Sequence, residues 1–163
     1  MYPDDVMAMA EKVLTLCRTA NLKVATAESC TGGLIAGCLT AIPGSSDVVD
    51  RGFVTYSNRA KADMLAVDET LIVKHGAVSE PVACAMAEGA LARSEADLAV
   101  AVTGIAGPGG ATDDKPVGLV HIAAARTGGE TLHDKFIFSG DRNAVRMAAT
   151  IAALNLLGRQ AAT

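Results

Sequence analysis

Aromatic residues are scarce in this 163-residue sequence: it has no tryptophan, and two tyrosines and three phenylalanines make up 3% of the chain. Proteins that bind single-stranded nucleic acid stack the bases on aromatic side chains, and a basic patch is the usual electrostatic mark of nucleic-acid binding. The sequence has no block of basic residues, and its formal net charge is −4. We therefore expect no nucleic-acid partner.

Several other segments are also missing. No apolar run approaches the roughly 18 residues of a membrane span, and the first residues lack the basic and apolar regions of a secretory signal. The four cysteines form no CxxC pair, so we expect reduced thiols. No pair of residues has a recognisable metal-ligand spacing. The sequence predicts a cytoplasmic protein with no membrane association, no metal and no cofactor.

Half of the residues are hydrophobic, which allows one sizeable core of Ala, Val, Leu, Ile and Met. Apolar residues at helical spacing alternate along the chain with short β-branched runs. Such alternation is typical of a sheet with helices on both faces. We predict a single domain over residues 1–163 with an α/β fold, a three-layer α/β/α sandwich. Its mixed, mostly parallel sheet has five strands, at residues 22–26, 52–57, 97–103, 117–125 and 131–139, the last two forming an antiparallel hairpin.

Three loops follow predicted strands, at residues 29–33, 56–61 and 103–110. In open α/β sheets, ligands bind beyond the carboxyl ends of the strands, where such loops meet. The first loop belongs to Ala27-Glu28-Ser29-Cys30-Thr31-Gly32-Gly33, which turns from a strand into a helix. The unpaired amides at a helix start suit an anion or a developing oxyanion. Ser29 or Thr31 acting only as a helix cap explains the same residues.

A nucleophilic serine needs a base, and none of the three histidines forms an obvious triad with Ser29. A lysine can serve when burial lowers its pKa toward neutrality. Lys61 lies five residues beyond Tyr56 after the second strand, so both can face one pocket. The alternative for Lys61 is an exposed helix residue. Arg142, at the start of the last helix, either clamps a phosphate or lies free on the surface.

An ordered set of motifs resembles a known family. The motifs are Ala27 to Gly33, Pro43-Gly44-Ser45-Ser46, Tyr56-Ser57-Asn58 with Lys61, His75-Gly76-Ala77-Val78-Ser79, Thr103-Gly104-Ile105-Ala106-Gly107-Pro108, Lys115-Pro116-Val117-Gly118 and Gly140-Asp141-Arg142. Over nearly the whole chain they resemble the CinA C-terminal domain family of nicotinamide-nucleotide amidases (NMN deamidases), in its free-standing form. The amino-terminal domain of full-length CinA proteins is not in this sequence, and we expect none of that domain's activity.

The resemblance implies a three-layer α/β/α fold and hydrolysis of the carboxamide of nicotinamide mononucleotide, which gives nicotinate mononucleotide and ammonia in pyridine-nucleotide recycling. It implies a metal-free mechanism with Ser29 as nucleophile, Lys61 as general base and Tyr56 assisting. The expected substrate-binding residues are Thr31, Gly32, Gly33, Ser46, Thr103, Gly104 and Arg142. From the helix-start argument, we expect the amides of Thr31 and Gly32 to stabilise the oxyanion.

Two alternatives to this mechanism remain open. A non-catalytic nucleotide-binding or regulatory domain would use the same glycine-rich loops. Cys30 could be the nucleophile, because a thiol at a helix N-terminus can have a depressed pKa. Besides the small-molecule substrate, the expected partner is a further copy of the chain: the Ala- and Met-rich helices either bury a face in a homo-oligomer, as we predict, or pack only on the sheet.

Overall fold

The computed structural model describes residues 2–163, and its five strands form one sheet. The strands are β1 (Val24–Glu28), β2 (Val49–Val54), β3 (Leu98–Gly104), β4 (Leu119–Arg126) and β5 (Leu132–Ile137), in the spatial order β2-β1-β3-β4-β5. β1 pairs in parallel with β2 and with β3, whereas β4 is antiparallel to β3 and to β5. The predicted mixed, mostly parallel sheet with a late antiparallel hairpin is therefore confirmed.

Helices cover both faces of the sheet. They are α1 (Asp4–Thr19), α2 (Leu34–Thr40), α3 (Asn58–Leu65), α4 (Glu69–His75), α5 (Glu80–Ala92) and α6 (Arg142–Ala161). The layer of α1, α2 and α6 packs on the face that carries the larger strand residues, such as Val100 and Ile122. The layer of α3, α4 and α5 packs on a face made of alanines: Ala25, Ala27, Ala99, Ala101, Ala123 and Ala125. The three-layer sandwich is confirmed, and within residues 2–163 no helix is long and apolar enough to cross a bilayer.

Side-chain caps fix the starts of the two helices that lead away from the candidate site. The Ser57 hydroxyl accepts the Ala60 N–H at the start of α3, and the Asp141 carboxylate accepts the Ala144 N–H at the start of α6. The N-cap of α1 is Pro3, and Asp4 lies in the first turn, where its negative charge interacts favourably with the helix dipole.

Strand β2 begins earlier than its residue pattern predicts, at Val49 rather than at residue 52. The reason is parallel pairing with β1, in which Val24 lies opposite Val49 and Glu28 opposite Val54. Beyond the end of β2 at Val54, the Thr55 N–H still donates to the carbonyl oxygen of Glu28 in β1 at 2.8 Å. With Tyr56, Thr55 then begins the loop that leads into α3.

The loops that were singled out in the sequence meet at one edge of the sheet, the edge formed by the carboxyl ends of the parallel strands. β1, β2 and β3 end at this edge, and β4 begins there because it runs in the opposite direction. β5 also ends there and leads into α6. The loops before α3, after β3 and before α6 therefore surround the turn that follows β1.

Candidate active site

A cavity of about 260 Å³ opens at this edge of the sheet. Of the ten residues predicted from the sequence to form the site, those in its wall are Ser29, Tyr56, Lys61, Thr103, Gly104 and Arg142. The loop before α5 adds Ala77 and Val78 to the wall, and the start of α3 adds Asn58. The structure thus brings together polar side chains from three strand ends and from the first residue of α6.

Ser29 and Lys61 are in direct contact. The Lys61 Nζ lies 3.0 Å from the Ser29 Oγ and donates a hydrogen bond of 2.9 Å to the carbonyl oxygen of Thr55. Both side chains are buried: Lys61 is 1% exposed and Ser29 is 8% exposed. The exposed-helix alternative for Lys61 is therefore wrong, because α3 turns this residue inward beneath the loop that carries Thr55.

Burial also sets the electrostatics of the pair. No carboxylate forms an ion pair with Lys61 in the described part of the chain. Desolvation lowers the pKa of Lys61 below its usual value, and a weaker interaction with the Cys30 side chain opposes this shift. A neutral amine beside a serine hydroxyl can accept the hydroxyl proton, which is the requirement for a general base.

The amides at the start of α2 have a partner that the sequence analysis missed. The fully buried Glu28 carboxylate accepts the N–H groups of Gly33, Ile35 and Ala36 at 2.8–3.1 Å. Ser29 and Thr31 make no capping hydrogen bond to α2, whose N-cap is Gly33. The helix-cap interpretation is therefore wrong, and so is the expectation that the start of α2 is open to a ligand. An acidic residue just before a helix start was the sequence signal for this arrangement.

Two of the glycines expected to bind substrate are engaged inside the turn. The Gly32 N–H donates to the Ser29 carbonyl oxygen at 3.1 Å, and the Gly33 N–H donates to Glu28. Both have positive φ angles, +61° and +100°, which glycine adopts without strain. Neither they nor Thr31 line the cavity. Their role in the fold is to make the tight turn, so the predicted Gly32 oxyanion donor is corrected.

Arg146 of α6 orients the turn, a role the sequence did not suggest. Its guanidinium donates to the carbonyl oxygens of Cys30 and Thr31 at 3.1 and 3.0 Å. In a planar trans peptide the N–H points away from the carbonyl, so the Thr31 N–H is directed away from Arg146. Within residues 2–163 no hydrogen-bond acceptor contacts the amide of Cys30 or that of Thr31 from another residue. The amide of Cys30, a residue of the cavity wall, remains available to a ligand, whereas Thr31 is fully buried outside that wall.

Tyr56 and Arg142 form a pair at the mouth of the cavity. The Arg142 guanidinium donates to the Tyr56 hydroxyl oxygen at 2.6 Å and to the Gly107 carbonyl oxygen at 2.8 Å. Tyr56 is 58% exposed, and its hydroxyl contacts Arg142 rather than Lys61. Any assistance that Tyr56 gives to the reaction therefore has to act through the substrate.

Thr103 and Gly104 shape the inner wall. The Thr103 hydroxyl donates to the Ala77 carbonyl oxygen at 2.8 Å and so ties β3 to the loop before α5. A side chain at Gly104 would collide with Val120, since an added Cβ would lie 2.7 Å from its Cγ2 atom. Gly104 is therefore required where β3 passes close to β4 beside Cys30.

Ser46 does not reach this cavity. It lies in a 3₁₀ turn (Ser45–Asp47) that precedes β2. This turn is at the end of the sheet where the parallel strands begin, opposite the end that carries the cavity. The neighbouring Asp47 pairs there with Arg18 near the end of α1. The expectation that Ser46 lines the same pocket is therefore corrected for this chain, because parallel β2 separates it from the strand ends.

The thiol of Cys30 lies in the cavity wall but stays protonated near neutral pH. Burial raises the pKa of this thiol to about 11, although Arg146 and Lys61 partly oppose the shift. A neutral, buried thiol is a poor nucleophile. Within residues 2–163, no group of three or more histidine, cysteine, aspartate or glutamate side chains is arranged to hold a metal ion.

The fold and the site define an α/β/α sandwich domain with a buried serine–lysine pair at the carboxyl edge of its sheet. The model of the CinA C-terminal domain matches residues 6–161, and the chain belongs to this family.

Known proteins of the same family match the chain over nearly all of its length. It is 49% identical over 160 residues to the nicotinamide-nucleotide amidohydrolase PncC of Escherichia coli K12, covering 98% of this chain and 97% of that protein. It is 54% identical over 149 residues to a CinA-like protein of Akkermansia muciniphila, but spans only 36% of that longer protein. A crystal structure of the competence/damage inducible protein CihA from Agrobacterium tumefaciens superposes with a TM-score of 0.96 at 50% identity, covering 100% of this chain and 99% of that one.

Proposed function

We propose that this chain hydrolyses the carboxamide of nicotinamide mononucleotide to nicotinate mononucleotide and ammonia, a reaction of pyridine-nucleotide recycling, by a serine–lysine mechanism without metal. The observation that carries the proposal is the 3.0 Å contact between the Ser29 Oγ and the buried Lys61 Nζ. The near full-length similarity to PncC, a nicotinamide-nucleotide amidohydrolase by name, supports the choice of substrate.

In the first half of the proposed reaction, the Ser29 Oγ attacks the carboxamide carbon and its proton passes to the Lys61 Nζ. The carbonyl oxygen becomes an oxyanion in the tetrahedral intermediate. When the carbon–nitrogen bond breaks, Lys61 returns the proton to the departing nitrogen, and ammonia leaves. The product of this half is an ester between the nicotinoyl group and Ser29.

In the second half, Lys61 takes a proton from a water molecule whose oxygen attacks the ester carbon. The bond to the Ser29 Oγ then breaks, and Lys61 returns the proton to Ser29. One water is consumed for each amide, and the products are ammonia and a carboxylic acid, which ionises to the carboxylate and releases a proton. The Thr55 carbonyl, which accepts one Lys61 N–H, keeps the amine aligned through both halves.

We assign the oxyanion to the amide of Cys30 rather than to that of Thr31, which is fully buried outside the cavity wall. Cys30 directly follows the nucleophile and lines the cavity, and Arg146 holds the peptide between the two residues by its carbonyl oxygen. An oxyanion donor of this kind contributes about 3–4 kcal/mol to transition-state stabilisation. Arg142 with Tyr56 would bind the nucleotide at the cavity mouth. Thr103 and Gly104 would form the wall beside the pyridine ring.

The direct test is ammonia release from nicotinamide mononucleotide by the purified protein, before and after treatment with a chelator. We expect turnover that the chelator does not change. Nucleotide binding without ammonia release would instead favour the non-catalytic nucleotide-binding domain. Loss of turnover with chelator, restored by a divalent metal, would contradict the metal-free mechanism.

The pH dependence of the reaction follows from the state of Lys61. The free enzyme needs this amine neutral, and burial lowers its pKa. We therefore expect kcat/KM to be highest above the lowered pKa and to fall as the pH decreases through it, because protonation removes the base. Initial rates measured between about pH 9 and about pH 5, under conditions where the protein stays folded, would show this fall. A flat profile over that range would contradict a lysine base.

Exchange of Cys30 for alanine separates the two possible nucleophiles. Because burial keeps the Cys30 thiol neutral, we expect Cys30→Ala to retain most of kcat, with a loss of about tenfold or less from altered packing of the turn. The measurement is ammonia release by this variant and by Ser29→Ala under the same conditions. If Cys30→Ala is inactive while Ser29→Ala keeps its activity, the serine mechanism is wrong.

A further inference from the structure

A second cavity, of about 330 Å³, adjoins the one that holds Ser29 and Lys61. The two share wall residues from the loop before α5 and the loop after β3: Ala77, Val78, Ile105 and Gly110. The second cavity extends from there to the segment between Thr112 and Lys115, which leads into β4. The two cavities therefore lie side by side, and the second adjoins the place of a ligand whose reacting group is at Ser29.

Lys115 is the one lysine or arginine in the wall of the second cavity. Its half-buried Nζ donates to the His75 carbonyl oxygen at 2.7 Å, and within residues 2–163 it forms no ion pair with a carboxylate. An ammonium group has three N–H donors, so two remain for a ligand. Gly76 makes the room for this group, since an added Cβ would lie 2.7 Å from the Nζ.

The size of the substrate also favours use of the second cavity. Small-molecule sites measure about 300–1,000 Å³, and the first cavity falls below this range. Nicotinamide mononucleotide carries a ribose and a phosphate beyond its pyridine ring. With the carboxamide at Ser29, the adjoining second cavity gives these groups a place beyond the first.

We propose that the second cavity holds the phosphate of the nucleotide and that Lys115 is the residue that selects for it. This inference rests on the proposed function and adds a specificity residue to it. Arg142 is the other cation near the substrate, but it is exposed and its guanidinium already donates to Gly107 and Tyr56. We assign Arg142 to the part of the substrate that the nucleotide and its riboside share.

Asp114 makes the proposal testable in both directions. Its exposed carboxylate also lines the second cavity, where the Thr112 hydroxyl donates to it at 2.8 Å. A negative charge there repels a phosphate, whereas the Lys115 ammonium attracts it. Removal of the two charges should therefore change phosphate affinity in opposite directions.

The test compares nicotinamide mononucleotide with nicotinamide riboside, which lacks the phosphate. The riboside is followed as a substrate or, where it is not hydrolysed, as a competitive inhibitor. For Lys115→Met we expect the KM of the nucleotide to rise roughly ten- to hundredfold, the range for loss of a charge-assisted hydrogen bond. The KM or inhibition constant of the riboside, and the kcat of the nucleotide, should change far less. Asp114→Asn should lower the KM of the nucleotide relative to the riboside constant.

Two further variants control for structure and for long-range charge. Lys115→Gln keeps an N–H donor but removes the charge. Because the proposal assigns phosphate binding to the charge, Lys115→Gln should raise the KM of the nucleotide as Lys115→Met does. Lys74→Met removes a neighbouring exposed charge that lines neither cavity, and should leave the ratio of the two constants unchanged. Equal effects of Lys115→Met on nucleotide and riboside would mean that Lys115 only ties two loops together, and would overturn the inference.

Failure of the proposed function has a different result. In that case the wild-type protein releases no ammonia from either compound. Calorimetric titration with nicotinamide mononucleotide then still tests the phosphate site. Equal affinities of the wild type and Lys115→Met would overturn it, whereas weaker binding by the variant would support it.

Discussion

Replacement of Ser29 by alanine is expected to lower kcat for ammonia release by about 10⁴-fold or more, the scale on which a nucleophile acts within a coupled catalytic unit. The reason is that the Ser29 Oγ is the one serine or threonine hydroxyl in contact with the Lys61 Nζ among the described residues. Without it, Lys61 can only activate water for direct attack on an amide. Affinity for the nucleotide should remain, since the rest of the cavity wall is unchanged.

The control for this variant is Ser45→Ala. Ser45 is as buried as Ser29, at 7% exposure, but it lies in the 3₁₀ turn at the opposite edge of the sheet. We expect wild-type kinetics from Ser45→Ala. If Ser29→Ala keeps substantial turnover while it is correctly folded, covalent catalysis by Ser29 is excluded and a general-base attack by water takes its place.

The sequence predicted the fold well because the hydrophobic patterns agree with the local chemistry at helix starts and strand ends. The buried run at residues 97–103 became the central strand β3, and the caps Ser57 and Asp141 start α3 and α6. The edge strand β2 was placed less well. Its first residues are only half buried, so they lack the continuous apolar signal that marks a central strand.

The candidate site was predicted in part for a physical reason. Ser29, Tyr56 and Lys61 follow strand ends, and the rule that such loops converge is enough to place them together. Glu28 and Arg146 were missed because their roles depend on tertiary contacts: the carboxylate reaches the start of α2, and the guanidinium comes from α6, 115 or more residues away. Ser46 was misplaced because the order of motifs along the chain does not show whether a loop lies at the carboxyl or at the amino ends of the strands.

Replacement of Lys61 by methionine is expected to reduce kcat/KM by about 10²–10⁴-fold, the usual contribution of general acid–base catalysis. Methionine is close in volume to lysine and fits a site that is 1% exposed. It leaves the Thr55 carbonyl without one hydrogen-bond donor, which lowers the free energy of unfolding by about 1–3 kcal/mol. It also removes the desolvation of an ammonium group, and this second effect acts in the opposite direction.

The pH dependence of stability identifies the desolvated lysine independently of catalysis. In the unfolded chain Lys61 titrates near 10.5, whereas burial lowers its pKa in the folded protein. Between the two values the unfolded chain binds more protons, so the wild type's free energy of unfolding rises with pH. Lys61→Met lacks this contribution. Its stability relative to the wild type should therefore be greatest below the lowered pKa and should decline as the pH approaches 10.5.

Denaturant unfolding of the wild type and Lys61→Met over this pH range measures the difference, with Lys12→Met, an exposed lysine of α1, as the matched control. The control should follow the wild type at every pH. A Lys61→Met difference that stays constant with pH would mean that Lys61 has an ordinary pKa in the folded protein. Such a lysine is protonated at neutral pH and could not take the proton from Ser29. Inactivity of Lys61→Met alone would then be a loss of positioning, whereas inactivity together with the declining difference in stability identifies the base.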